Sequence, residues 1–134
     1  MTEDRWRESL SYLGEALDRL GEVLEESPDA ANYVIDATIQ RFELTIELFW
    51  KTPKHLLARY GRDVTLPLDA LRQAYAAGWI DNEEIWLGMM RDRNLTSHTY
   101  RKELALEIYG RIREYYPEMR WAYIGIRDQH PYPG

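Results

Sequence analysis

Leu10, Leu13, Leu17, Leu20 and Leu24 recur at steps of three and four residues, and this spacing constrains the chain more than any other feature. Such steps fall on one side of a 3.6-residue turn, so the five side chains form one apolar stripe, with Glu8, Glu15, Asp18 and Glu22 elsewhere on the helix. Ser27, Pro28 and Asp29 end that helix, because a proline ring suits a first turn better than a helix interior, and a second helix is expected to start there. Ile35, Ile39, Phe42, Ile46 and Phe49 carry the second helix to about Tyr60, where Gly61 offers a left-handed stop. Pro53 lies inside this run and should kink it near Phe49 and Trp50.

A third, short helix is expected from Thr65 to Pro67 onward, carrying Leu68, Leu71 and Tyr75 to Gly78. Asp81 reads as the cap of a fourth, with Glu83 and Glu84 at its positive end and Ile85, Trp86, Met89 and Met90 as its buried side. From Tyr100 onward, Leu104, Ile108, Ile112 and Tyr115 mark a fifth helix, which Pro117 should bend before Trp121 and Ile124 continue the pattern. No strand signal competes and the connections are short. The expected fold is therefore all-α: an up-and-down antiparallel bundle of four to five helices, residues 1–134 forming a single domain with 128–134 as a loose tail.

Composition limits what such a bundle can do. At 134 residues, 45% hydrophobic and 30% charged, the chain has core material for one unstapled domain and too much charge for a membrane bundle. Arg5, Arg7 and Glu8 interrupt any signal-like core near Met1, and no stretch approaches the roughly 20 apolar residues that span a bilayer, so a cytoplasmic location is expected. The absence of cysteine removes disulfides, thiolate metal sites and thiol nucleophiles. A net charge of -6 argues against non-specific coating of nucleic acid, which is driven by phosphate neutralisation, so any such contact must be local.

Chemistry concentrates in Arg91, Asp92, Arg93, Asn94, Leu95, Thr96, Ser97, His98, Thr99 and Tyr100. An arginine can steady a developing phosphorane with two parallel hydrogen bonds, and a histidine near its own pKa can give or take a proton. Those two parts suffice for RNA cleavage without a metal or other cofactor, because the RNA's own 2'-hydroxyl is the nucleophile. Arg93 and His98 are the candidate catalytic pair, with Asn94, Arg91 and Ser97 as substrate-binding candidates; Arg101 and Lys102 add positive charge. The spacing alone decides little, since about 0.3 matches to arginine, four residues, histidine arise by chance at this composition. Residues five apart on an ideal helix diverge by about 140°, so either the helix breaks between Arg93 and His98 or a second copy completes the site. The low helix propensity of Asn94, Thr96, Ser97 and Thr99 favours a break.

Arg93 followed by Asn94 to Tyr100, together with Ile39, Gln40, Arg41, Phe42, Glu43, Leu44 and Thr45 through Glu47, Leu48, Trp50 and Lys51, resembles the HEPN proteins encoded beside a minimal nucleotidyltransferase. These are also described as nucleotidyltransferase substrate-binding proteins. The resemblance spans nearly the whole chain. It implies a helical homodimer acting as the toxin of a toxin-antitoxin pair, an RNA endonuclease with transfer RNA among its candidate substrates, restrained by the minimal nucleotidyltransferase antitoxin. In that family the tyrosine two places after the histidine, here Tyr100, is the residue on which the partner places AMP.

Each residue also has a plainer reading. Arg93 could pair with Asp92 or with a glutamate of a neighbouring helix, His98 could cap a helix junction, and Tyr100 could be one of ten mainly structural tyrosines. His55 and His130 read as uninvolved, and Trp86, Met89 and Met90 as core. Glu43 and Glu47 lie four apart, but without the Glu-x-x-His partners of a di-iron bundle they define no metal site. The alternative function is a non-catalytic substrate-binding subunit of a two-component nucleotidyltransferase.

Overall fold

The leucine stripe folds as α1 (Thr2–Leu24) in the computed structural model, which describes residues 2–28 and 33–129. Leu13, Leu17 and Leu20 are fully buried, with Leu10 and Leu24 partly so at the margins; each full burial contributes about 1.5–3 kcal/mol. The remaining helices are α2 (Tyr33–Arg59), α3 (Pro67–Ala76), α4 (Glu83–Leu95) and α5 (Lys102–Gln129). Among the described residues none of these is long and apolar enough to cross a membrane.

The side chains fix the direction of each helix. Ser9 on α1 shares a buried 2.6 Å hydroxyl hydrogen bond with Thr52 on α2, while Arg41 Nη1 donates to the Arg19 carbonyl at 2.6 Å, so α1 and α2 are antiparallel. Arg120 on α5 pairs with Asp18 at 2.8 Å and Arg113 donates to the Leu24 carbonyl, which sets α5 antiparallel to α1. Arg93 reaches Glu47, and Trp86 packs on Phe49 at 4.7 Å, so α4 opposes α2. The result is an up-and-down four-helix bundle with α3 as a short helix in the connection between α2 and α4.

Both glycine stops stand where expected. Gly61 and Gly78 have φ near +80°, and in each case the following amide closes back on the last turn: Arg62 N–H to the Leu57 carbonyl, Trp79 N–H to the Ala74 carbonyl. Other boundaries differ from expectation. Pro28 lies outside any helix and α2 as described begins at Tyr33, so a start at Asp29 falls on residues outside the described ones. The cap of α4 is Asn82 rather than Asp81: Asn82 takes the left-handed conformation that its short side chain tolerates and accepts from the Ile85 N–H, while Asp81 accepts from the Asn82 N–H at 2.9 Å. As expected, α2 and α5 continue past Pro53 and Pro117, which lie inside them. Asp128 and Gln129, expected in the tail, continue α5, and 130–134 lie outside the described residues.

Trp121 and Ile124 do not continue the buried stripe of α5; they are 56% and 41% exposed. The stripe passes instead through Tyr115, Met119, Ala122 and Ile126, at steps of four, three and four, which turns Trp121 to the opposite side.

On α1, two glycines admit tyrosines from α5. A Cβ at Gly14 would meet the Tyr123 hydroxyl at 2.6 Å, and one at Gly21 would overlap the Tyr116 hydroxyl. Gly21→Ala therefore trades a helix-propensity gain of about 1 kcal/mol against an overpacking cost of about 1–3 kcal/mol. Urea denaturation should show a net loss near ~1 kcal/mol, restored by adding Tyr116→Phe, which removes the nearest atom. A Gly21→Ala chain more stable than the parent would contradict this packing.

Candidate functional site

Helix α4 stops at Leu95 because the hydroxyl residues that follow turn back on it. Thr96 Oγ1 donates to the Arg93 carbonyl at 2.7 Å and Thr99 Oγ1 to the Thr96 carbonyl at 2.8 Å, offering local partners that compete with the helical ladder. Thr96–His98 form one tight 3-10 turn, and α5 begins at Lys102. The break between Arg93 and His98 is thus present, and Tyr100 sits in the turn ahead of α5 rather than on it.

On the α4 side of the break, Arg93, Asn94 and Ser97 line an open groove of about 470 Å³ with Glu43 and Glu47 of α2. Arg93 Nη2 donates to Glu47 Oε2 at 2.7 Å, and Lys51 Nζ approaches Glu47 Oε1 at 3.8 Å. The two sequence blocks, 39–51 and 93–100, therefore meet in space through one ion pair. The plainer reading of Arg93 is right about a neighbouring glutamate and wrong about Asp92.

Past the break, His98 and Tyr100 are exposed, Tyr100 at 81%, with their rings edge to face at 6.1 Å between centroids. Tyr100 lines a second groove of about 470 Å³ with Ile35, Asp36, Thr99, Lys102 and Leu106. Within one chain, then, Arg93, Asn94 and Ser97 share a groove, while His98 and Tyr100 face solvent on the adjoining turn. Arg91 is exposed on α4 and lines neither groove.

Beneath the motif lies an arrangement that sequence reasoning missed. Asp92, 3% exposed, accepts from Arg111 Nε and Nη2 at 2.7 and 2.8 Å and from the Tyr115 hydroxyl at 2.5 Å. Burial first, and then the hydrogen bond to Asp92, hold the Tyr115 phenol above its ordinary pKa; the same carboxylate raises that of Arg111. The available signal was position: Asp92 lies three residues after the core residue Met89, and a carboxylate turned inward requires partners.

A family model described as nucleotidyltransferase substrate binding protein like matches residues 8–126. A curated relative, the probable ribonuclease HepT of Haemophilus influenzae, is 30% identical over 109 residues, covering 74% of this chain and 71% of the relative. A crystal structure of a Thermus thermophilus protein superposes with a TM-score of 0.75 at 36% identity, covering 85% of this chain and 97% of that one.

Asp92→Ala removes the acceptor of three hydrogen bonds, from two residues, at once. Breaking a buried ion pair costs about 3–5 kcal/mol, but Arg111 is 39% exposed and rehydrates, so a loss of about 2–3 kcal/mol is expected by denaturant unfolding. Asp92→Asn, which still accepts, should lose less. Equal losses in the two variants would mean that the contact is not made through the carboxylate oxygens.

Proposed function

Because this chain belongs to the nucleotidyltransferase substrate-binding protein-like family, the HEPN partners of minimal nucleotidyltransferases, we propose that it is a metal-independent RNA endonuclease toxin, restrained by AMP transfer to Tyr100. The observation that carries this reading is the break at Thr96–His98, which leaves His98 and Tyr100 together on an exposed turn beside the groove holding Arg93.

In the proposed reaction the RNA 2'-oxygen bonds to the adjacent phosphorus and the bond to the 5'-oxygen breaks. The 2'-hydroxyl proton passes to one histidine and the leaving oxygen takes a proton from another. Each chain has one His98, so the second comes from the other chain of a homodimer whose two sets face one cleft. Arg93 steadies the phosphorane: its bond to Glu47 uses Nη2, leaving other guanidinium N–H donors for phosphate oxygens. Asn94 and Ser97, in the same groove, orient the phosphate, and Arg91 adds charge nearby.

Control follows from Tyr100. Its phenol oxygen attacks the α-phosphorus of ATP, pyrophosphate leaves and the phenolic proton is lost, so each AMP adds an anionic phosphodiester and a nucleoside two residues from His98. Repulsion and bulk then exclude RNA. The setting is cytoplasmic, with the whole chain as one domain and transfer RNA among the candidate substrates.

A second reading, a non-catalytic subunit that binds substrate for the nucleotidyltransferase, is favoured by the family description and by the pairing of Arg93 with Glu47, which partly occupies the phosphate-binding head.

Expression of the chain alone should slow growth, and Arg93→Ala or His98→Ala should abolish the effect, since losing such a group commonly costs factors of about 10² or more. With ATP and magnesium, the partner should add AMP units to Tyr100, and Tyr100→Phe should stay toxic in its presence. Full toxicity of His98→Ala would overturn the nuclease, a harmless parent chain would favour the binding subunit, and a Tyr100→Phe chain still silenced would overturn the control point.

A further inference from the structure

From Leu48 to Arg62 the chain carries Lys51, Lys54, His55, Arg59 and Arg62 and no acidic residue, although its net charge is -6. The basic strip starts at the groove, where Lys51 contacts the same Glu47 that holds Arg93. It then follows α2 for about 18 Å from Glu47 to Arg59, at about 1.5 Å per residue. Aromatic rings lie along it: Lys51 and Lys54 stand over the half-buried Trp50 ring at 5.9 and 5.7 Å, and Arg59 stands over the exposed Tyr60 at 6.0 Å and at 5.9 Å from Trp6, whose ring is buried in the core.

The antiparallel α1 brings Arg5 to the same end of the bundle. His55 registers the accumulated potential: burial first, then Lys54, Arg5 and Lys51, hold its pKa below the ordinary value. Among the described residues neither Arg5 nor Lys54 has a carboxylate partner. Such a concentration of one sign repels itself and gains most from an external polyanion.

We propose that Lys51, Lys54, His55 and Arg59 of α2, with Arg5 of α1, form an RNA-binding strip that holds the ribose-phosphate backbone of single-stranded substrate flanking the Arg93 groove. The identity of the ligand as substrate rests on the ribonuclease reading above; the binding itself does not require cleavage. A linear run of cations beginning where a phosphate must sit, with the half-buried Trp50 and the exposed Tyr60 beside it, matches a single strand. An acidic protein partner fits less well, because protein interfaces centre on an apolar patch and the large exposed apolar side chain of the strip is Tyr60 at its far end.

The test titrates the full chain carrying His98→Ala, so that RNA is not cut, with a short fluorescein-labelled single-stranded RNA by anisotropy over a series of salt concentrations. Adding Arg5→Gln and Lys54→Gln should weaken binding on the order of tenfold at 0.1 M salt. It should also lower the slope of log affinity against log salt by about 1.4, at 0.7 per phosphate contact. Lys54→Arg, which keeps the charge, should retain affinity and so separates charge from packing; circular dichroism checks the fold. Unchanged affinity in the folded double variant, or no RNA binding by the His98→Ala chain, overturns the strip, as does a double variant that keeps RNA affinity but loses the partner nucleotidyltransferase. A chain that binds RNA through the strip yet cuts none leaves the strip standing and overturns the nuclease. Cleavage of a dinucleotide filling only the groove, together with undiminished long-RNA affinity in the double variant, does the reverse.

Discussion

Asp92 and Arg93 are adjacent in sequence and about 100° apart around α4, so one turns into the core and the other toward the groove. Asp92 is held by three hydrogen bonds, two from Arg111 and one from Tyr115, and Tyr115 in turn stacks near Phe42 with 5.9 Å between ring centroids. Fixing the roll of α4 in this way fixes the direction of its next residue. Arg93 then meets Glu47 of α2. The buried network therefore sets where the half-buried Arg93 guanidinium points, although none of its members lines the groove.

The same roll makes the helix end useful. Had α4 continued past Leu95, His98 would lie about 140° around the axis from Arg93. Hydroxyls of Thr96 and Thr99 instead satisfy main-chain carbonyls locally, and the chain reverses into α5 with His98 and Tyr100 outermost. An AMP acceptor in this position would need no rearrangement of the bundle to be reached, and a modified side chain there would share the turn with His98, the proposed proton-transfer group.

Most of the fold was legible because burial imposes a period. The stripes of α1 and of the first part of α5, the glycine stops and the Pro67 start all follow from local rules that tertiary contacts reinforce. Trp121 and Ile124 misled because apolar character was read as burial, whereas the angular sequence Tyr115, Met119, Ala122, Ile126 decides the inward face and admits Ala122 in place of the larger tryptophan. Asn82 displaced Asp81 as cap because the chain enters α4 through a left-handed residue, a backbone choice that the two neighbouring side chains do not distinguish by composition. At the site, the residue types and the helix break were readable from propensity. The pairing of Arg93 with Glu47, 46 residues away, was not, because it depends on how α4 rolls against α2.

The central claim is that the Arg93 groove and the His98 turn together cleave RNA through its own 2'-hydroxyl. Purified chain incubated with RNA in excess EDTA tests this most directly, with the termini of the products identified by mass spectrometry. Fragments ending in 2',3'-cyclic phosphate, absent when the residue before the cleaved bond carries 2'-deoxyribose and absent with His98→Ala, are the predicted result. Cleavage that requires a divalent metal, or that proceeds equally at a 2'-deoxy position, would contradict it.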